Sequence, residues 1–285
     1  MLDLAVVTTV RNYGRFLPEW AASILALSLK PALVVLVEQG STDDSWAQVE
    51  RAAAQLMAGG LRVRVQRMPA TDFGTARNAA VSLTDTEWVM HLDADDMLMP
   101  HALADAAVLA PACDVVQLGY ERCGDLAAGP PNRRKPYRSG LAHEILASPT
   151  PCSGCSPFRR ALWERAPYVT DQTGGWDTAL WLGFAHLGAR FRATARPCFW
   201  YRQHADSVFN RRRTERTYEA ALVGHQLQSR RRGDAGVSVV VPVATFQDVT
   251  RARNWTWVAA HLAATYPTWQ VVEGPASGGP LWWAN

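Results

Sequence analysis

Three carboxylates fall within four positions of the chain, directly after a short apolar and aromatic run. The run is Trp88 to Leu92, and the acids are Asp93, Asp95 and Asp96. Such a run is typical of a buried parallel strand, and open α/β sheets bind ligands at the carboxyl ends of their strands. Asp93 and Asp95 are two residues apart, so an extended backbone points both side chains to the same side. The pair can therefore hold one hard cation, which would gather the oxygens of a diphosphate.

The same stretch has a second interpretation, as a strand followed by an acidic helix N-terminus. In that case Asp96 would stabilise the helix dipole without binding a ligand. A lone Asp-X-Asp occurs by chance in many proteins. The choice between the two interpretations therefore depends on the elements around the acids.

Strands and helices alternate through the first part of the chain. Hydrophobic patterns predict strands at Leu4–Val10, Leu33–Val37, Leu61–Gln66, Trp88–Leu92 and Asp114–Leu118. Helices are predicted between them at Phe16–Leu29, Ser45–Met57, Thr75–Leu83 and from Pro100 onward. This order predicts an α/β fold with a mostly parallel central sheet flanked by helices.

The pattern changes after the fifth strand. Residues 124–140 are rich in Gly, Pro and Arg and predict a long loop. Beyond it we expect helices at Phe158–Arg165, Trp176–Leu187 and Thr214–Gln228, and edge strands at Phe191–Ala195 and Cys198–Tyr201.

The end of the chain repeats the order of its beginning. A strand at Val237–Val243, a helix at Thr250–Tyr266 and a strand at Trp269–Val272 ending in a glycine turn match the order of residues 4–42. We therefore predict a first domain at 1–215, a helical linker at 216–236 and a partial second βαβ unit at 237–285. Such a unit alone can hardly bury both faces of its strands.

Composition narrows the class of protein. Of 285 residues, 48% are hydrophobic and 19% charged, which favours a globular chain over a disordered one. No basic leader with a hydrophobic segment and no bilayer-length apolar run is present, so we expect a cytoplasmic protein without a transmembrane segment. The net charge of +3 says little about partners, although arginines cluster at 133–134, 211–213 and 230–232. Solvated surface is the ordinary cause of such clusters, and an anionic partner is the alternative.

The cysteines favour reduced thiols. Their number, five, is odd and does not fit a complete disulfide framework. Cys152 and Cys155 have the spacing of half a zinc site, but no second pair lies at a matching distance. We therefore do not expect a structural zinc from the sequence pattern.

Taken in order, four motifs resemble family 2 glycosyltransferases, the inverting enzymes of the GT-A fold for nucleotide-diphospho-sugar transferases. The resemblance covers about the first 215 residues, and each motif lies on the element that its chemistry needs. The motifs are Val7–Asn12, Val37–Asp44, Leu92–Asp96 followed by Pro100, and Gly175–Leu180 with Trp200–Ser207.

The resemblance implies a hexosyltransferase-type reaction on a nucleotide-sugar donor, expected to be a UDP-sugar. The sugar would pass to an acceptor hydroxyl with inversion at the anomeric carbon. Asp95 is expected to contact a Mn²⁺ or Mg²⁺ ion directly, with Asp93 and His204 completing the metal site. Asp177, at the start of a helix, is expected to be the base that takes the acceptor proton.

The remaining positions of the resemblance would bind the nucleotide sugar. They are Thr9, Val10, Arg11, Glu38, Gln39, Arg77, Asp93, Ala94 and Trp176. Glu38 and Gln39 depart from the pair of acids typical of the family. A glutamine amide can pair with the imide edge of uracil, but it can equally indicate another base.

Several of these positions have simpler interpretations. Trp176 can stack on a sugar or fill the core, and Arg77 can reach phosphates or be solvated. His204 can be an ordinary surface histidine and Asp177 an ordinary helix cap.

Three other functions fit parts of the sequence. The acceptor could be DNA with hydroxylated bases, which would show salt-sensitive binding. The chain could be a non-catalytic glycan-binding module, although intact acids argue against it. A nucleotidyltransferase would need a glycine-rich basic loop after the first strand, and residues 9–14 make a poor one. The sugar, the acceptor and the oligomeric state are left open.

Overall fold

The computed structural model describes residues 2–125, 153–170 and 175–207. Within them one eight-stranded sheet has the order β3-β2-β1-β4-β7-β6-β8-β5. The strands are β1 Leu4–Val10, β2 Leu33–Gln39, β3 Val63–Met68, β4 Trp88–His91, β5 Met97–Leu98, β6 Val115–Cys123, β7 Phe158–Arg159 and β8 Phe191–Arg202. The α-helices are α1 Leu17–Leu25, α2 Ser45–Ala58, α3 Phe73–Ser82, α4 Ala102–Leu109, α5 Arg160–Arg165 and α6 Trp176–His186.

The first four strands of the chain form the parallel half of the sheet. β1 pairs with β2 and β4, and β2 pairs with β3, all in parallel. In this register Val10 lies beside Glu38, and Val7 lies beside His91. The carboxyl ends of β1, β2 and β4 therefore meet at one edge, where the predicted motifs follow each strand.

The second half of the sheet is mixed. β7 runs antiparallel to both β4 and β6, while β8 runs parallel to β6 and antiparallel to β5. The two predicted edge strands are wrong, because β8 is one strand of 12 residues with a partner on each side. Its register with β6 shifts around Gly119, which lies opposite Pro197. This irregularity accommodates a proline inside a paired strand.

Helices cover both faces of the parallel strands, and strand residues alternate between the two faces. Leu4, Val6 and Met90 pack in one core cluster that includes residues of α1, α2 and α4. Ala5, Val7 and Val89 belong to a second cluster that includes residues of α3 and α6. Period-two alternation extends this second face to Thr9 and His91 at the carboxyl ends of the strands.

The predicted boundaries hold closely in the parallel half and less well beyond it. β1 and the start of α2 agree with prediction, α1 ends at Leu25 instead of Leu29, and β2 and β6 run longer than expected. The predicted helix at residues 158–165 begins as the short strand β7. The predicted long loop, the helix at 214–228, the linker and the repeat at 237–285 lie wholly or largely outside the described residues.

None of the helices in the described ranges has the length and apolar character needed to cross a bilayer.

Candidate active site

A line of buried polar side chains runs along the α3 and α6 face at the carboxyl ends of β1 and β4. The Oγ1 of Thr9 lies 3.4 Å from Nε2 of His91, and Nδ1 of His91 lies 3.4 Å from Oδ1 of Asp93. The Arg77 guanidinium donates from Nη2 to Oδ1 of Asp93 at 3.2 Å and from Nη1 to Oδ1 of Asp177 at 2.6 Å. One arginine therefore bridges the acid after β4 and the acid at the start of α6.

The helix that carries Arg77 is fixed on both sides of it. Asp72 caps α3 by accepting from the backbone N–H of Thr75 at 3.0 Å. A Cβ on Gly74 would lie 1.9 Å from the carbonyl oxygen of Val169, so only glycine allows this close approach.

On the other side, Asn78 holds the backbone of Tyr168 at both ends. Its amide donates to the carbonyl oxygen of Tyr168 at 2.8 Å, and its Oδ1 accepts from the N–H of Tyr168 at 2.9 Å. The Arg77 guanidinium lies 5.4 Å from the centre of the Tyr168 ring.

Charge is unevenly distributed along this line. Arg77 is only 5% exposed and stays cationic, because the two carboxylates raise its pKa despite the opposing effect of burial. Burial disfavours the charged form of Asp93, but the charge and the hydrogen bond of Arg77 oppose it, and the pKa of this carboxyl is lowered. Burial, together with Arg77, lowers the pKa of His91 to about 3, so its imidazole is neutral at pH 7.

The pKa of Asp177 is shifted in the opposite direction to that of Asp93, although both carboxyls contact Arg77. Burial and the nearby Asp93 raise the pKa of Asp177, and the opposing effect of Arg77 is smaller. A carboxylate with a raised pKa is a better proton acceptor, provided that it remains ionised. The Asp177 side chain is still 32% exposed, so a ligand can reach it.

The other two acids after β4 contact the end of β8 and the segment that follows it. Oδ2 of Asp95 lies 3.0 Å from Nε2 of His204. Asp96 is buried, and its Oδ1 accepts from the N–H of Arg202 at 2.9 Å. The Arg202 side chain donates from Nε to the carbonyl oxygen of Asp95 at 2.8 Å. Oδ2 of Asp96 lies 3.6 Å from Sγ of Cys155.

His204 is held by aromatic rings from the loop after β1. The rings of Tyr13 and Phe16 lie 5.5 and 4.8 Å from the imidazole, centre to centre. The Tyr13 hydroxyl donates to the carbonyl oxygen of Asp206 at 2.9 Å, and Arg15 pairs with the Asp206 carboxylate at 2.9 Å. The segment 203–207 is therefore fastened to the β1 end of the sheet.

The loops after β1 and β2 are joined to each other. Asn12 has a φ of 58°, and its backbone N–H donates to Oγ of Ser41 at 3.0 Å. Its Oδ1 accepts from the N–H of Thr42 at 2.8 Å. Glu38 is buried and accepts from the N–H of Ser41 and from Nε of Arg67.

Gln39 is 1% exposed, and its Oε1 has no hydrogen-bond partner among the described residues. A buried acceptor left without a partner is costly and fits a site that a ligand completes.

The carboxylates at this edge fit a divalent cation. Burial and the neighbouring carboxylates Asp95 and Asp93 raise the pKa of Asp96 far above its ordinary value, and burial with Asp93 raises the pKa of Asp95. Ligand atoms of Asp93, Asp96 and Cys155 lie within 4.8 Å of one another, a set that shares only Asp93 with the predicted ligands Asp95, Asp93 and His204. Such crowding of negative groups is relieved when a cation binds, and carboxylate oxygens suit Mg²⁺ and Mn²⁺.

Comparison with known protein families identifies the family of this chain. The sequence model described as glycosyl transferase family 2 matches residues 5–165, which is more than half of the chain. The chain belongs to glycosyl transferase family 2. The match includes β1 to β4 and the acids at their carboxyl ends, so the predicted family is confirmed.

The relatives of this family 2 member support the fold. An uncharacterized glycosyltransferase of Nostoc sp. is 29% identical over 115 residues, which span 40% of this chain and only about a third (35%) of the Nostoc protein. The crystal structure of S. aureus TarS 1-349 in complex with UDP-GlcNAc has a TM-score of 0.65 at 16% identity, covering 93% of this chain and 76% of that one.

A third similar protein is the mannosyltransferase PcManGT from Pyrobaculum calidifontis, in complex with GDP-Man and Mn²⁺. Its TM-score is 0.54 at 20% identity, covering 94% of this chain and 76% of that one. The predicted GT-A fold is confirmed by these likenesses.

The structure of this family 2 member brings most of the predicted site residues to one edge of the sheet. Thr9, Asp93, Arg77 and Asp177 share the buried polar line, and Asp95 contacts His204. The alternative of a solvated arginine at 77 is wrong, as is that of a surface histidine at 204, which is 8% exposed.

Four predicted nucleotide contacts are less well placed for binding through their side chains. The side chains of Val10 and Ala94 lie in the α1, α2 and α4 core, which leaves only their backbones for a ligand. Arg11 points to the carbonyl oxygen of Thr71 at 3.4 Å from an exposed position. Trp176 is 8% exposed and packs 4.8 Å from Phe73, as the core alternative predicts. Their roles in binding stay predictions.

Sequence reasoning missed His91 as part of the site and gave Asp96, Cys155 and Arg202 no role in it. His91 carried a usable signal, since it lies two residues before Asp93 and must face the same side of the sheet. Arg202 lies within the motif Trp200–Ser207, but its contacts with Asp95 and Asp96, like that of Cys155 with Asp96, join distant parts of the chain.

Proposed function

We propose that the protein transfers a sugar from a nucleoside diphosphate donor to an acceptor hydroxyl, with a divalent cation and with inversion. The observation that carries this proposal is the bridge from Asp93 through the buried Arg77 to Asp177, beside the Asp95 and His204 pair. It supplies a cation-binding group and a proton acceptor at the edge where α/β sheets bind ligands.

Family 2 membership and the complexes of similar proteins support the donor class. TarS was crystallised with UDP-GlcNAc and the Pyrobaculum mannosyltransferase with GDP-Man and Mn²⁺. Asp95, Asp93 and His204 would hold Mn²⁺ or Mg²⁺ in this protein. When bound, the cation would stabilise the negative charge of the departing diphosphate.

Asp177 would accept the proton of the acceptor hydroxyl. The acceptor oxygen forms a bond to the anomeric carbon while the bond from that carbon to the diphosphate oxygen breaks, and the nucleoside diphosphate leaves with the electron pair. The hydroxyl proton passes to a carboxylate oxygen of Asp177. Arg77 would keep Asp177 ionised before the reaction, and burial would keep it basic enough to take the proton.

Gln39 would recognise the base. Its buried Oε1 needs a donor, and the imide N–H of uracil is one. We therefore expect a uridine donor, and a thermal-shift screen of nucleoside diphosphates with and without Mn²⁺ would rank the bases, since a bound ligand stabilises by mass action.

Two variants test the proposed reaction. Asp95→Ala should abolish the metal-dependent hydrolysis or transfer of the donor, because the cation loses its main ligand. Asp177→Asn should keep donor binding and lower transfer by about 10²–10⁴-fold, the range typical of a lost general base. Calorimetric titration with the donor that the screen selects and product assays measure the two effects separately.

The outcomes discriminate among the alternatives. Undiminished turnover in Asp95→Ala would contradict the metal assignment, and loss of donor affinity in Asp177→Asn would make Asp177 a structural residue. Donor binding by the wild-type protein without any turnover would favour a non-catalytic binding module.

A further inference from the structure

A second group of metal-ligating side chains lies between α4 and β8. It consists of His101, Asp105 and Cys198, whose ligand atoms lie within 4.8 Å of one another. His101 and Asp105 are four residues apart across the start of α4, so they lie on the same face of the helix. Cys198 comes from the middle of β8 and is fully buried, whereas the other two are partly exposed.

We propose that His101, Asp105 and Cys198 bind a zinc ion. The set offers one nitrogen, one oxygen and one sulfur ligand, a mixture that suits zinc and not the oxygen-seeking Mg²⁺. Three protein ligands leave one coordination position for water. None of the three residues belongs to the candidate active site, so this site does not depend on the proposed transferase reaction.

The surroundings orient two of the three ligands. Nε2 of His101 lies 2.9 Å from the carbonyl oxygen of Pro197. If Nε2 carries the proton and donates to this oxygen, the lone pair is left on Nδ1, which is a common arrangement for a metal-binding histidine. Arg196 donates to both carboxylate oxygens of Asp105, at 2.7 and 2.9 Å. A carboxylate has further lone pairs for a metal, and ligating carboxylates are commonly hydrogen-bonded in this way.

Binding of the ion changes the charge and protonation of the cluster. Without metal, Asp105 is neutralised by Arg196, and burial raises the pKa of the Cys198 thiol to about 11. Binding of Zn²⁺ replaces the thiol proton, which is released to solvent, so the ion faces both the thiolate and the Asp105 carboxylate. With Arg196 counted, the cluster then carries one positive charge more than it does without metal.

The ion would join two elements that lead to the candidate active site. α4 follows the acids after β4 through the short strand β5, and β8 ends at Arg202, just before His204. A bond between α4 and β8 would therefore hold together the two chain segments that meet at Asp95 and Asp96. Zinc is expected to stabilise this region against unfolding.

Cobalt provides the test, because a thiolate bound to Co²⁺ gives a charge-transfer absorption band. Full-length protein stripped with a chelator is titrated with Co²⁺ without any nucleotide, and a band that saturates and then disappears on adding Zn²⁺ is expected. Cys198→Ser should lose the band. His101→Gln, at a partly exposed position, should weaken cobalt binding at least about tenfold, in line with the importance of each ligand.

Cys155→Ser is the matched control, since Cys155 is another buried thiol whose sulfur lies near carboxylate oxygens. This variant should keep the band. Zinc should also raise the melting temperature of the wild-type protein more than that of His101→Gln. This comparison does not rely on a variant of a core cysteine. Absence of a cobalt band in the wild type, or a band that is lost in Cys155→Ser and kept in Cys198→Ser, would overturn the proposal.

Discussion

The two faces of the same parallel strands are built for different tasks. On the α1, α2 and α4 face, β1 and β2 supply mostly apolar side chains, including Leu4, Val6, Val10 and Leu36. Thr8 and Glu38 are the buried polar exceptions there. On the α3 and α6 face, the apolar residues Val7 and Val89 give way to polar ones toward the carboxyl ends. The α3 and α6 face is therefore apolar along the middle of the strands and polar at their carboxyl ends.

The comparison shows that the network of buried charged residues around Arg77 lies on the α3 and α6 face. The apolar face needs only shape and contact area, so it can stabilise the sheet without constraining chemistry. The polar face holds a cationic arginine, a neutral histidine and two carboxylates with pKa values shifted in opposite directions. Changes on the polar face should therefore alter activity and pH dependence, and changes on the apolar face should alter stability alone.

The largest combined effect on stability and activity is expected from Arg77→Met. The change leaves Asp93 and Asp177 facing each other without the cation that neutralises them. Breaking a fully buried ion pair costs about 3–5 kcal/mol, and the cost here should lie near the lower end because both carboxylates are about a third exposed. Urea unfolding measures the loss, and transfer activity should fall with it.

Arg62→Met is the matched control for that change. Arg62 also pairs with an acid, Asp85, but both side chains are about half exposed. Surface pairs of this kind contribute little, so stability and activity should stay near the wild-type values. Equal losses in the two variants would show that the buried bridge has no special role.

A second prediction concerns the apolar face. Leu36→Ala removes a fully buried side chain from β2 and should lower the free energy of unfolding by about 2–5 kcal/mol. At a temperature where the variant is folded, kcat and donor affinity should match the wild type, because Leu36 does not line the polar face. Val108→Ala, on a side chain that is 79% exposed, provides the unperturbed comparison. A changed kcat in Leu36→Ala would break the separation of the two faces.

The smallest effect is a pH dependence caused by His91. Its folded-state pKa of about 3 lies below the ordinary value near 6.5, so between these values the unfolded chain binds the proton and the folded one does not. Stability must therefore fall as the pH drops below about 6.5. Between pH 7 and 5.5 the wild type should lose about 1 kcal/mol more than His91→Gln, measured by denaturant unfolding at each pH. Parallel curves for the two proteins would show that His91 is not buried in its neutral form.

The sequence was most informative where chemistry and local pattern coincide. Strand patterns placed Asp93, Asp95 and Glu38 at carboxyl ends, and the parallel order of the strands was enough to bring those ends together. The sequence could not predict whether Arg77 faces solvent or lies between two carboxylates, because this depends on how α3 packs against the sheet. Contacts of Arg77 and Asp177, 100 positions apart, exist only in the folded chain.

The mixed half of the sheet was harder to predict, because the course of β8 depends on a contact between distant residues. Pro197 normally interrupts a paired strand, so two short edge strands were the reasonable expectation. The fold places Gly119 opposite this proline and shifts the register there, which lets β8 continue to the site. No pattern around residue 197 indicates a compensating glycine some 80 positions away. The proposed zinc site could not be predicted from the sequence for the same reason. Its cysteine lies on β8 and its other two residues lie at the start of α4, and these come together only in the folded chain.

The close contact of Gly74 with Val169 and the grip of Asn78 on Tyr168 have one more implication. They fix the helical turn that carries Arg77 from both directions, while Asp93 and Asp177 hold its guanidinium between them. A ligand that binds here must place its own polar groups against the guanidinium of Arg77, which is already held in position. Adaptation to a new substrate should therefore arise in the loops around this turn, while the turn itself tolerates almost no replacement.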